Sequence, residues 1–229
     1  MIGFRVANEA STARHIAATL LQTAAFWFTF LWLLPELVSA LGSKFALPRL
    51  GVERVGGTPV AIALFVAASA LGLSTGIMMA VLGRGTPLPM CTAREFVTSG
   101  PYRWLRNPMA LAGITQGFAV GLWRDDVLVV LYALAGAVLW HGVARPPEER
   151  DLVRRFGAPF VAYRERVGLW LPRMPRPIEG CLAVLCAVGA AGWFAGDGTS
   201  ATALFVASPF ALLGLLLAAL LGSRALRTS

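Results

Sequence analysis

Charge is scarce in this sequence. Only 14% of its 229 residues are Asp, Glu, Lys or Arg, against 57% apolar, which excludes an ordinary soluble domain of this size. Histidine is limited to His15 and His141, so no metal-ligand spacing arises and no metal site is expected. The cysteines Cys91, Cys181 and Cys186 offer no disulfide framework, and the last two share one apolar segment as small filler. No Gly-rich phosphate loop follows a strand, and neither a nucleophile elbow nor a His-Glu-x-x-His pair occurs. Internal repeats, low-complexity tracts and long polar linkers are also missing. One membrane domain over residues 1–229 is therefore expected. The formal net charge of +8 does not imply nucleic acid as a partner. In a membrane protein Lys and Arg gather in cytoplasmic loops and meet the head groups of membrane lipids.

What is present is a series of apolar runs near or beyond the roughly 20 residues that cross a bilayer as a helix. The first is Ile16 to Leu41, interrupted late by Pro35-Glu36. Val38-Ser39-Ala40 resembles a signal cleavage site, but a signal h-region has only about 7–15 residues, so the run is expected to remain as a span. Pro59 to Leu82 follows, with Gly72 and Gly76 in a small-xxx-small spacing suited to close helix contact. Pro108 to Trp123 and Val127 to Val143 form a helical hairpin turned by Asp125-Asp126. Its arms are short, and one is expected partly inside the protein. Ile178 to Ala195 and Thr202 to Leu221 complete the set. The expected fold is all-α, a polytopic bundle of about six spans.

Between the runs lie two polar stretches. The loop from Gly83 to Asn107 is broken by Gly83, Gly85, Pro87 and Pro89, with a short interfacial helix expected over Thr92 to Val97. Arg145 to Arg176 is rich in arginine. Within it Pro147-Glu148-Glu149 reads as a helix start. Leu152, Val153 and Phe156 make one apolar stripe, closed by Gly157, and Phe160, Tyr163 and Val167 make another. Both suit helices lying on the membrane surface. The arginine bias places these stretches and both termini in the cytoplasm. Lys44, Arg49 and Arg54 fall on the far side, against that trend.

The chemistry-bearing residues concentrate in Thr98-Ser-Gly-Pro-Tyr-Arg-Trp-Leu-Arg-Asn-Pro-Met-Ala110 and in Arg145-Pro-Pro-Glu-Glu. Gly100-Pro101 forbids a continuous helix, and Pro108 suits the first turn of a new one. Simpler readings exist for each stretch. Arg145 can snorkel, Tyr102 and Trp104 can be interfacial belt aromatics, and His141 can be structural.

Taken together, the stretches resemble a known family. The first is similar to the Gly-x-Tyr-x-x-x-Arg-(His/Asn)-Pro segment of the isoprenylcysteine carboxyl methyltransferase family, in whose broader group phospholipid methyltransferases also fall. The second, His141-x-x-x-Arg-Pro-Pro-Glu-Glu-x-x-Leu-x-x-x-Phe-Gly-x-x-x-x-x-Tyr, resembles that family's Glu-Glu segment and following helix. Val167 to Arg173 fits its close. The resemblance covers about Gly83 to Arg173, and the segments 1–82 and 174–229 read as flanking spans.

The resemblance implies an S-adenosylmethionine-dependent methyltransferase in the membrane, in a bacterial inner membrane with its site toward the cytoplasm. A lipophilic small molecule or lipid would enter from the bilayer as substrate. By position, Arg94, Glu95, Phe96, Val97, Gly100, Tyr102, Arg106, Asn107, Pro108, Met109, Ala110 and His141 would line the cofactor pocket. Glu149 would hold a polar group of the cofactor beside Glu148, and Arg145 would face the reacting group of the substrate. Ala110 stands where the family often has Tyr, and Asn107 where His is more frequent. A carboxylate acceptor would need only a cation such as Arg145 to orient it. An amine or thiol would have to lose a proton, to His141 or Glu148. The competing class is a non-enzymatic transport or assembly protein that keeps the fold.

Overall fold

The computed structural model describes residues 11–45, 49–51, 57–86 and 93–173. Among them all regular structure is helical, with two isolated bridges, Arg49–Asp126 and Leu105–Gly168. The long helices are α1 (Thr12–Ser43), α2 (Gly57–Val81), α3 (Pro108–Trp123) and α4 (Val127–Phe156), followed by the shorter α5 (Ala158–Arg166). Of these, α1, α2 and α4 are long and apolar enough to cross a membrane. The spans expected at 178–195 and 202–221 lie outside the described residues.

Local chemistry sets the helix starts. The Ser11 side chain accepts from the Arg14 amide and caps α1. Asn107 Oδ1 accepts from the Ala110 amide at 3.0 Å, with Pro108 in the first turn of α3. Asp126 Oδ1 accepts from the Leu128 amide at 2.8 Å and starts α4. A charged and hydroxylic cluster closes this end of the hairpin. Arg124 binds Glu36 of α1 at 2.7 Å, and Ser39 donates to Asp126 at 2.6 Å.

Proline inside the long helices is absorbed by widening rather than breaking. In α1 the turn Trp27–Leu33 is π-helical, and the Leu34 amide reaches back five residues to the Thr29 carbonyl just before Pro35. In α4 the turn Trp140–Ala144 is π-helical, and the Arg145 amide reaches the Trp140 carbonyl just before Pro146-Pro147. A proline has no N–H to return and its ring crowds the carbonyl four residues back, so an extra residue per turn relieves both problems.

This corrects the expectation that Pro147-Glu148-Glu149 opens a separate surface helix after a span ending at Val143. One helix runs unbroken from Val127 to Phe156. Gly157, with φ of +57°, then ends it, as the sequence predicts. The interfacial helix expected over Thr92 to Val97 is also absent from its described part. Residues 93–97 are irregular, and the Arg94 and Glu95 amides both donate to the Gly83 carbonyl, at 2.7 and 3.1 Å.

The short arm of the hairpin is the central helix. At 16 residues, α3 rises only about 24 Å, less than the roughly 30 Å hydrocarbon core. It is walled in by α2 and α4, with Gln116 to Leu122 continuously buried. Glycine permits the approach. A Cβ on Gly72 would stand 3.3 Å from that of Ala112, and one on Gly121 would stand 2.7 Å from the Val130 amide nitrogen. Phe118, Leu122, Ala61, Val130 and Ala133 form one core cluster, and Leu31, Val120 and Val129 form a second. Gln116, buried at depth, donates to Ser69 at 2.9 Å, so its amide is not left bare in an apolar layer.

Candidate functional site

The two polar stretches meet where α3 begins and where α4 leaves its π turn. Gly100, at φ of +56°, and Pro101 fold the first stretch into a 3₁₀ turn, Gly100–Arg103, which buries Tyr102. Two long-range ties hold the turn. Tyr163 of α5 donates to the Tyr102 carbonyl at 2.7 Å, with the Leu105 carbonyl at 3.3 Å. The Arg106 amide donates to the Gly168 carbonyl at 2.9 Å. Burial pushes the Tyr163 phenol up to about 12, with Arg106 opposing. Burial, then the neighbouring Tyr163 and Glu148, raises Tyr102 as well. Both phenols remain neutral donors at physiological pH.

At the centre stands Glu149. Its Oε1 is 2.6 Å from Arg106 Nη1, and its Oε2 is 3.4 Å from Arg145 Nη1. The Arg106 side chain is only 5% exposed, so its charge requires a paired anion. Beside it, Glu148 Oε1 lies 3.5 Å from Asn107 Nδ2, whose amide oxygen already caps α3. Arg145 also donates from Nε to the His141 carbonyl at 3.2 Å. In a regular helix that carbonyl would bond the Arg145 amide, but the π turn sends this amide to Trp140 instead. Residue 146, the partner five residues on, is a proline without N–H. The π turn therefore ties Arg145 down on its own helix.

Of the residues singled out in the sequence, Arg106, Asn107, Arg145, Glu148 and Glu149 come together. Tyr102 lies buried beneath them, and Pro108 and Ala110 form the first turn of α3. His141 is one turn before Arg145. Others lie differently. Arg94 and Glu95 are exposed. The ring of Phe96 stacks on Phe156 at 5.2 Å and meets Tyr163 and Phe160 edge-on, inside the cluster that holds α5 to the loop. Val97 is buried. Gly100 abuts Met78, and Met109 reaches Gly76, so both face α2.

Residues that sequence reasoning left without a role hold the site in shape. Tyr163 was legible as part of an apolar stripe and as the tyrosine that ends the second motif, without a partner. Gly168 is obligatory because a Cβ there would fall 1.8 Å from the Leu171 carbonyl oxygen. Trp170 donates from its indole to His141 Nδ1 at 3.1 Å. Arg155 donates to the Ala93 carbonyl and pairs with Asp151 at 3.5 Å. Tyr163, Gly168, Trp170 and Arg155 each reach a partner tens of residues away, and the sequence marks two of them only as lying in Val167 to Arg173, the close of the family segment.

Comparison with known proteins bears on the same segment. Residues 58–159 match the family model described as phospholipid methyltransferase, and every member of the ion cluster lies inside them. Methanethiol S-methyltransferase 2 of Bradyrhizobium diazoefficiens is 34% identical over 94 residues, which is 40% of this chain and 33% of that protein. Methanethiol S-methyltransferase of Mycobacterium tuberculosis is 36% identical over 74 residues, 31% of this chain and 28% of that protein. The matched stretch thus spans a third or less of these curated relatives. No solved structure matches the chain significantly. The family match covers both motifs and extends upstream of them through α2.

Proposed function

From the match to phospholipid methyltransferases and the similarity to two methanethiol S-methyltransferases we propose that this chain is an S-adenosylmethionine-dependent methyltransferase of the membrane whose acceptor is a small, apolar thiol. The observation that supports it most is Glu149, a carboxylate held between two guanidinium groups contributed by separate motifs. A zwitterionic amino-acid end of the donor is complementary to this set, ammonium to Glu149 and carboxylate to Arg106. When bound, S-adenosylmethionine supplies a methyl carbon on a sulfonium, whose C–S bond breaks to leave a neutral thioether as the new bond forms. The work left to the protein is to align the reactants, exclude water and take the acceptor's proton. Glu148, beside Glu149 and near Asn107, is the carboxylate placed to receive the proton of a thiol.

Arg145 supports one acceptor class over another. It is engaged twice, by Glu149 and by the His141 carbonyl, so it is less suited to clamp an acceptor carboxylate than its position in the sequence suggests. A prenylcysteine-type acid is therefore disfavoured relative to a thiol, the substrate named for both relatives. The description of the matching family favours a lipid amine as the second reading. Either acceptor would enter from the bilayer, with the site on the cytoplasmic side.

The test is methyl transfer from labelled S-adenosylmethionine by the full chain in nanodiscs, across short alkyl thiols, phosphatidylethanolamine and a prenylcysteine acid. Turnover with thiols is expected. Turnover with the lipid amine alone would favour the second reading. Donor binding unchanged in both Glu149→Gln and Arg106→Gln would place the pocket elsewhere.

A further inference from the structure

Trp170 lies beyond the segment that matches the family and outside every motif role assigned so far. Its side chain is 7% exposed and packs with Leu169 against Leu111, Ile114 and Trp140. Its ring meets Trp140 edge-on at 5.2 Å and lies within 20° of the plane of His141. In that arrangement the indole N–H ends on His141 Nδ1 at 3.1 Å.

An indole nitrogen can only donate, so Nδ1 must accept, and a neutral imidazole with an accepting Nδ1 carries its hydrogen on Nε2. Turning the ring over would set Cδ2 against the indole and leave a buried N–H without an acceptor, which is unfavourable. To accept a proton, His141 would need both nitrogens protonated. The Nδ1 hydrogen would then face the indole hydrogen.

We infer that Trp170 is a positioning residue that holds His141 as an Nε2–H donor and so bars it from acting as the base. This rests on the methyltransferase reading above and deepens it. The group beyond Nε2 meets a hydrogen-bond donor, and the thiol proton falls to a carboxylate, with Glu148 in place for it.

The experiment is ¹⁵N spectroscopy of the full chain in nanodiscs with labelled histidine, which yields two ring systems, His15 and His141, told apart by His15→Gln. The expected result is a single Nε2–H tautomer for His141, becoming a mixture in Trp170→Phe, which keeps the aromatic contact but lacks the donor. An Nδ1–H ring in the wild type, or the same single tautomer in Trp170→Phe, overturns the inference. If Trp170→Phe does not fold, the wild-type tautomer and a kinetic pair decide. His141→Gln can donate but cannot serve as a base, and should turn over within roughly tenfold of wild type, the equivalent of one modest hydrogen bond, while His141→Ala falls further. Equal losses of about a hundredfold or more in both, with donor affinity intact, would make His141 the base and defeat the assignment. If the wild type transfers no methyl group to any acceptor, the proposed function fails, and the spectrum still decides the tautomer.

Discussion

Glu149 binds its two arginines unequally, at 2.6 Å to Arg106 and 3.4 Å to Arg145. The shorter bond involves the more buried guanidinium, so the two arginines differ in what their loss does. Glu149→Ala would leave Arg106 buried without its anion, a change that typically costs about 3–5 kcal/mol. Glu149→Gln keeps an acceptor oxygen and separates binding from folding. It is expected to weaken donor binding at least about tenfold by calorimetry with a smaller loss of thermal stability. Arg145→Ala should weaken it less. Tyr163 carries a second prediction. Its phenol has a folded value of about 12 against an ordinary 10.0. The native state thus holds this proton more tightly than the unfolded one. The resulting stability is complete below pH 10 and is lost as pH rises from about 10 to 12. Tyr163→Phe should flatten that alkaline loss in denaturation scans. It should also cost about 0.5–1.5 kcal/mol at neutral pH through the lost bond to the Tyr102 carbonyl.

At the scale of elements, the π turn of α4 sets the phase of the catalytic stretch. One extra residue rotates everything beyond it by about 100° relative to a regular helix. That rotation brings Glu148 and Glu149 toward Arg106 and Asn107 rather than along the face continuing from Val127–Leu139. Replacing both Pro146 and Pro147 with Ala restores two amide donors and removes the reason for widening. The expected outcome is a helix more stable to heat whose donor affinity falls at least about tenfold, as Glu149 leaves Arg106. Equal affinity in that variant would show that the phase is set elsewhere. The hairpin and the closing loop depend on glycine in a complementary way. A Cβ on Gly121 would press on the Val130 amide, and one on Gly168 on the Leu171 carbonyl, both backbone atoms that cannot swing away. Gly121→Ala and Gly168→Ala are each expected to cost about 1–3 kcal/mol. The Gly168 change should also reduce donor binding, because the Gly168 carbonyl holds the Arg106 amide.

At the scale of the molecule, the ion pairs found among the described residues sit at two ends of an apolar bundle. One end carries Arg106, Arg145, Glu148 and Glu149. The other carries Glu36, Ser39, Arg124 and Asp126, tied in pairs that lock α1 to the hairpin turn. Between them α3, too short to cross alone, is buried against α2 and α4. We propose from the arginine bias that the first end faces the cytoplasm. Single cysteines at Ser99 and Glu165 should therefore react with an impermeant thiol reagent only from the cytoplasmic face, in a background without Cys91, Cys181 and Cys186. A cysteine at Asp125 should react only from the opposite face. Labelling of Glu165 and Asp125 from the same side would overturn this orientation.

The sequence alone determined what depends on composition and on local punctuation. Apolar run length marks the membrane helices because a bilayer sets the length a span must have. Asn107-Pro108, Asp125-Asp126 and Gly157 mark where helices start and stop, since caps, proline and positive φ act within a turn. The paired motifs and their spacing were enough to bring Arg106, Asn107, Arg145, Glu148 and Glu149 into one site. Tertiary structure alone decided which partners those residues and their neighbours meet. A Pro-Pro pair reads locally as a helix start, yet α4 runs continuously through it, with a π turn in place of a break. Phe96 reads as a pocket wall until Phe156, Phe160 and Tyr163 close around it. Arg145 reads as a free cation, yet its guanidinium is held by Glu149 and by a carbonyl that the π turn released. His141 reads as a structural residue or as a base, and an indole 29 residues away donates to its Nδ1. Each of these outcomes depends on a partner distant in the chain or on a hydrogen-bond ladder shifted by one residue, and neither is written in local spacing.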